Sequence, residues 1–103
     1  MSNWLEVANI DELTPGTHRV VDVDGVDVAV FNLGGEYFAI KDECPHDRGV
    51  LSNGFQEGEV IICPRHGARF SIRTGAVLRP PAYENLVTFR VRISQGKIQL
   101  ETE

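Results

Sequence analysis

Cys44-Pro45-His46 and, sixteen residues further on, Cys63-Pro64-Arg65-His66 decide how this chain is read. The sequence holds two cysteines and three histidines, and four of those five residues lie in these two runs. Each run offers one sulfur and one nitrogen. Two thiolates with two imidazoles suit zinc, or a two-iron two-sulfur cluster in which histidines replace the cysteines on one iron. Zinc fingers favour C-x-x-C and H-x-x-x-H spacings. One cysteine and one histidine per run is the layout a binuclear cluster needs, with each loop giving one ligand to each iron. A disulfide between the cysteines is disfavoured, because a reducing compartment opposes it and each thiol has a histidine beside it. A catalytic Cys63, activated by Arg65 and His66, would leave the duplicate run unexplained.

Outward from these runs the pattern is β. Residues 17–22 and 26–32 read as strands joined by Asp24-Gly25, and Leu33-Gly34-Gly35-Glu36 turns into a third strand at 37–40. Trp4–Ala8 adds a strand, and 9–13 reads as one helical turn with Asn9 as its N-cap. Near the other end, Val87, Phe89, Val91 and Ile93 alternate strictly, as one half-buried strand would require. Gln95-Gly96 then turns into 97–100. Residues 43–82 differ: they are rich in Gly and Pro, with short strands at 60–62, 69–72 and 76–78. The expected fold is all-β, one domain over 1–103. Its base, 1–42 with 83–103, closes as a small antiparallel barrel or sandwich, and 43–82 is a loop-rich cluster-binding insertion. That insertion has few apolar residues of its own, so a bound metal group is expected to restrain it.

A chain of 103 residues is one small domain with no apolar run of membrane-span length. The first residues lack the basic and apolar regions of a secretory signal, so the cytoplasm is the expected compartment. Net charge is −5, and residues 1–40 carry seven acids against the single base Arg19. Nucleic-acid binding is excluded by that balance. The acidic half reads as a solvated surface, with steering toward a basic protein partner as the sharper alternative. His18 reads as a surface histidine, and Trp4 and Phe31 as core or rim. Arg48 and Arg65 read as surface charges that flank the ligand runs, with a role at a docking face as the sharper reading.

The paired runs resemble the Rieske family, C-x-H followed by C-x-x-H. The likeness extends to Gly49-Val50-Leu51-Ser52-Asn53-Gly54, to Gly67-Ala68-Arg69-Phe70, to Thr74-Gly75 and to Arg79-Pro80-Pro81-Ala82, which stands where the family has its proline loop. Across nearly the whole chain it is similar to soluble Rieske ferredoxins of bacterial ring-hydroxylating oxygenase systems. The resemblance implies a Rieske (ISP-like) fold and one 2Fe-2S cluster. It implies Cys44 and Cys63 on the inner iron and His46 and His66 on the outer iron near the surface. Respiratory members have an extra cysteine in each loop, forming a bracing disulfide, which this chain cannot make. They also place hydroxyl donors where this chain has Ala68 and Phe70. Without donors to stabilise the reduced cluster, the potential is expected near roughly −150 mV rather than roughly +300 mV.

The function that follows is one-electron transfer. The carrier would accept from an NAD(P)H-dependent flavin reductase, the ferredoxin reductase, and deliver to a terminal oxygenase of aromatic hydrocarbon catabolism. It is expected to be a monomer, with no catalytic residues and with neither nucleic acid nor membrane as a partner. Two alternatives stand beside it: the small Rieske-like subunit of an assimilatory nitrite reductase, and a zinc-stabilised binding module.

Overall fold

The structure is a computed structural model that describes residues 3–102. Its strands are β1 (Trp4–Asn9), β2 (His18–Val23), β3 (Val26–Leu33), β4 (Glu36–Lys41), β5 (Phe55–Glu57) and β6 (Val60–Ile62), followed by β7 (Arg69–Ser71), β8 (Val77–Arg79), β9 (Thr88–Phe89), β10 (Val91–Ser94) and β11 (Lys97–Glu101). They form three antiparallel sheets, ordered β1-β11-β10, β2-β3-β4-β9 and β5-β6-β7-β8. The all-β expectation holds, and among the described residues no α-helix is present.

Local sequence chemistry accounts for the hairpins. Asp24 and Gly25 both have positive φ, 52° and 84°, which is the backbone a two-residue hairpin needs to match strand twist. Asp22 reinforces the turn by accepting from the Gly25 N–H at 2.7 Å. The turn after Asn9 is a 3-10 turn over Ile10–Glu12, and the Glu12 carboxylate accepts from the Asn9 N–H at 2.8 Å.

The run Val28-Ala29-Val30-Phe31 in β3 buries both faces. Ala29 and Phe31, with Ile40 of β4, join one core that contains Cys44, Leu51, Ile61, Cys63, Ala68, Phe70 and Ile72. Val28 and Val30, with Ala39, face a second core with Leu13, Ile98 and Leu100. Alternation along β3 thus divides its side chains between two cores, because successive residues point to opposite faces. The loop-rich segment rests on one face of this wall, and that is how a segment poor in apolar residues acquires a dry interior.

Two sequence expectations are corrected. The alternating run 87–93 is not one strand. β9 pairs with β4 and β10 pairs with β11, with Arg90 between them, its carbonyl accepting from the Glu101 N–H at 2.9 Å. A strand that crosses from one sheet to another bends, so only the residues beside the crossing keep facing the core. Val87 and Ile93 are 55% and 50% exposed, whereas Phe89 and Val91 pack on the second core. The other correction is β5, which the sequence did not signal: Phe55 is exposed and Gln56 and Glu57 are polar, so the strand is set by pairing with β6.

Candidate metal centre

The two ligand runs lie in loops that leave the ends of strands, one beyond β4 and one directly after β6. Their backbones repeat. The Cys44 N–H donates to the Gly49 carbonyl at 2.8 Å, and the Arg48 N–H donates back to the Cys44 carbonyl at 2.7 Å. The Cys63 N–H donates to the Ala68 carbonyl at 2.8 Å, and the Gly67 N–H donates back to the Cys63 carbonyl at 3.1 Å. The fifth residue of each loop is left-handed, Arg48 at φ 62° and Gly67 at φ 76°. One loop therefore carries its histidine in the third position and the other in the fourth, on the same turn.

The four predicted residues come together. Cys44 and Cys63 are both free and fully buried. The Cys44 sulfur lies near the Cys63 thiol and near the backbone N–H groups of His46 and Asp47. Burial pushes the Cys44 thiol up, and those two amides pull against it. His46 and His66 are exposed, their ring centroids 4.7 Å apart and nearly perpendicular. Two sulfurs inside and two imidazoles outside fit a binuclear group held between the loops, with backbone amides beside the Cys44 sulfur.

Asp47 was missed on sequence. Its carboxylate lies with Cys44 and His46 so that one ligand atom of each falls within 4.8 Å of the others. Arg65 engages it, however. The Arg65 Nε donates to Asp47 Oδ2, Nη2 donates to Oδ1 at 3.0 Å, and Nη1 donates to the Val50 carbonyl at 3.0 Å. This holds the Asp47 carboxyl well below the usual carboxylate range. Arg65 is thus not a free surface charge: it ties the second loop to the first. Arg48, by contrast, is exposed beside His46 with no ion-pair partner among the described residues. The signal for the Asp47–Arg65 pair was an acid in one run and a base in the other. Only the shared loop geometry shows that they meet.

Asp42 was also missed. It is 6% exposed, and its carboxylate accepts from the N–H groups of Leu51 and Ser52 at 3.0 and 2.7 Å and from the Ser52 hydroxyl at 2.6 Å. These bonds fold residues 51–54 back against the first loop. At Gly54 a Cβ would collide with the Ile62 carbonyl oxygen, so the return needs glycine. Ala68 and Phe70 are fully buried beside the two cysteines, and Ala82, after the cis Pro80-Pro81 peptide, closes the same core.

Fold and site define a class: a small antiparallel β protein built around a mixed cysteine–histidine metal centre. The chain belongs to the Rieske family, since the Rieske [2Fe-2S] domain matches residues 3–90. Its cofactor is a Rieske-type 2Fe-2S cluster, which sets aside the zinc-stabilised module. The chain is 34% identical over 101 residues to the ferredoxin component of the naphthalene 1,2-dioxygenase/salicylate 5-hydroxylase systems of a Ralstonia species, covering 98% of this chain and 97% of that one. It is 39% identical over 91 residues to the biphenyl dioxygenase ferredoxin subunit of Pseudomonas sp. strain KKS102, covering 87% and 84%. Among solved structures it overlays the ferredoxin of carbazole 1,9a-dioxygenase from Nocardioides aromaticivorans IC177 with a TM-score of 0.91 at 33% identity, covering 99% and 100%. A chain in a complex of reduced oxygenase and oxidized ferredoxin in carbazole 1,9a-dioxygenase overlays equally well, TM-score 0.91 at 35% identity over 97% and 94%. These relatives are ferredoxin components, which favours the carrier over the nitrite reductase subunit. Among the described residues no helix is long and apolar enough to cross a membrane.

Proposed function

We propose that this chain is the ferredoxin component of a ring-hydroxylating oxygenase system. It accepts one electron from an NAD(P)H-dependent flavin reductase, passes it to the terminal oxygenase, and oxidises no organic substrate itself. Cys44, His46, Cys63 and His66 hold its cluster. The observation that carries this reading is the split of the site by depth, with buried sulfurs and exposed imidazoles, one of each per loop.

When bound, the cluster supplies a reversible one-electron couple at iron. The residues around it do the rest. Cys44 and Cys63 anchor the inner side within the apolar core, where Leu51, Ala68 and Phe70 exclude water. His46 and His66 present the outer side at the surface, which shortens the path to a docked protein. Arg48, exposed two residues after His46 and without an ion-pair partner among the described residues, gives that loop a charge that a partner can recognise. We also take the carrier to be a cytoplasmic monomer, with base 1–42 and 83–103 and cluster-binding part 43–82. The sheets support that division, because β5–β8 lie within residues 55–79 and the other two sheets within 4–41 and 88–101.

The test is reconstitution. The coloured protein, reduced and frozen, should give the rhombic electron-resonance signal of a histidine-ligated 2Fe-2S cluster. Added to a flavin reductase and a ring-hydroxylating oxygenase, it should be required for product. A colourless protein with one zinc would overturn the ligand reading, and turnover that does not depend on the protein would overturn the carrier reading. Charge reversal at Arg48 (Arg48→Glu) should slow transfer to the oxygenase while the cluster's absorption stays intact; unchanged partner kinetics would remove Arg48 from the docking face.

A further inference from the structure

Among the described residues Arg65 makes three side-chain hydrogen bonds, and all of them cross from its own loop to the other ligand loop. Two go to the Asp47 carboxylate in a fork-to-fork arrangement and one to the Val50 carbonyl. Asp47 is itself fixed, since its Oδ1 also accepts from the Gly49 N–H at 2.9 Å. The guanidinium lies so close over Gly49 that a Cβ there would run into it. Each partner neighbours a histidine: Asp47 follows His46, Arg65 precedes His66, and Asp47 Oδ2 stands 3.8 Å from His66 Nδ1. An exposed ion pair alone contributes little, but a bidentate arginine with a third bond and a shaped seat is a fixed geometric element.

We propose that Asp47 and Arg65 form a cross-loop latch that positions His46 and His66, in a chain with no cysteines left for a bridge between its loops. They are positioning residues, and the inference rests on the ligand assignment proposed above. The latch is also electrically balanced. Arg65 stabilises the extra negative charge of a reduced site, and Asp47 opposes it, so the intact pair leaves the potential nearly unbiased. Breaking it from either side should bias the potential in opposite directions. A tie made of uncharged groups would not do that.

The holoproteins to compare are the parent, Asp47→Asn, Arg65→Gln, Arg65→Lys and the Asp47→Asn/Arg65→Gln double variant. Cluster loss to excess chelator is followed by visible absorption, and potentials are read by redox titration. Each single neutral variant should lose its cluster faster, by roughly tenfold or more if the roughly 10–100-fold affinity cost of removing a partner that orients metal ligands falls on the loss rate. The double variant should be no faster than the faster single, because the two residues act as a unit. Asp47→Asn should raise the potential, Arg65→Gln should lower it, and the double variant should return near the parent. Arg65→Lys, which keeps the charge without the fork, should lose its cluster faster than the parent at an unchanged potential; if Arg65→Gln cannot be loaded, this variant and Asp47→Asn carry the test. Potentials that move the same way or not at all, or a double variant whose loss rate multiplies the two single effects, would overturn the latch. Absence of the Rieske signal in the parent would instead overturn the ligand assignment.

Discussion

Ala68 and Phe70 show what single residues contribute here. Both are fully buried in the core that holds Cys44 and Cys63, and neither side chain can donate a hydrogen bond. These two positions therefore add no side-chain hydroxyl to the backbone amides that lie near the Cys44 sulfur. Donors to sulfur stabilise the reduced, more negative cluster, so with none at these two positions a potential near the low end of the Rieske range, roughly −150 mV, is expected. Ala68→Ser should raise it, as read by redox titration of a variant whose resonance signal is otherwise native. An unmoved potential in such a variant would mean that this position does not explain the low value. At this scale the sequence was most legible where chemistry is rare: two cysteines and two histidines at matched spacing stand out in any chain. It was least legible for common residues. Asp42 reaches N–H groups nine and ten residues away, and Asp47 meets a guanidinium eighteen residues away. Nothing local marks either carboxylate. Arg65, read as a surface charge, is a tie for the same reason.

Between elements, strand ends and turns set the geometry. The two ligand loops share one hydrogen-bond pattern and one left-handed residue, which the sequence hinted at only through Gly67, since Arg48 stands at the matching point. Strands backed by hairpin signals were legible, because turn chemistry is local. β5 and the break between β9 and β10 were not, because pairing partners far along the chain decide them. A second tie links elements on another part of the surface. Arg73, in the turn between β7 and β8, donates to Glu59 at 3.1 and 2.7 Å and to Glu36 at 3.1 Å, with its guanidinium 4.7 Å from the Phe38 ring centroid. It joins the start of β4 to the β5–β6 turn. Arg73 holds the Glu59 carboxyl below its ordinary value of 4.5. A carboxylate depressed on folding stabilises the fold above its unfolded pKa and loses that contribution as pH falls through the folded value. Arg73→Gln should therefore melt below the parent at about pH 7, and the gap should persist down to about pH 4.5 and shrink beneath it. A gap that stays constant to lower pH would assign the loss to Phe38 packing instead, measured in both cases by thermal melting of the holoprotein.

Across the whole molecule, contacts between distant parts of the chain settle both charge and packing. Residues 41–75 carry five acids and five bases. Four of those bases are paired: Lys41 with Glu43, Arg65 with Asp47, Arg69 with Glu57, and Arg73 with Glu36 and Glu59. The neutrality is thus built from contacts, and among the described residues Arg48, two positions after His46, has no ion-pair partner. The core that holds the cysteines is shared likewise, since Ala29, Phe31, Ile40 and Leu86 from outside residues 43–82 pack in it. Phe31 and Leu100 are both essentially buried, yet Phe31 belongs to the core that contains both cysteines and Leu100 to the core formed with the terminal strands. Truncating either leaves a cavity. Phe31→Ala should cost about 3–5 kcal/mol and Leu100→Ala about 2–5 kcal/mol in denaturant unfolding. The two variants should differ in the cluster. If the site draws its rigidity from the face of β3 and β4 beneath it, Phe31→Ala should also speed cluster loss to chelator and broaden the resonance signal, whereas Leu100→Ala at comparable destabilisation should leave both unchanged. Equal effects on the cluster would show that the two cores act as one cooperative unit, and the division at residues 42 and 83 would then be architectural only.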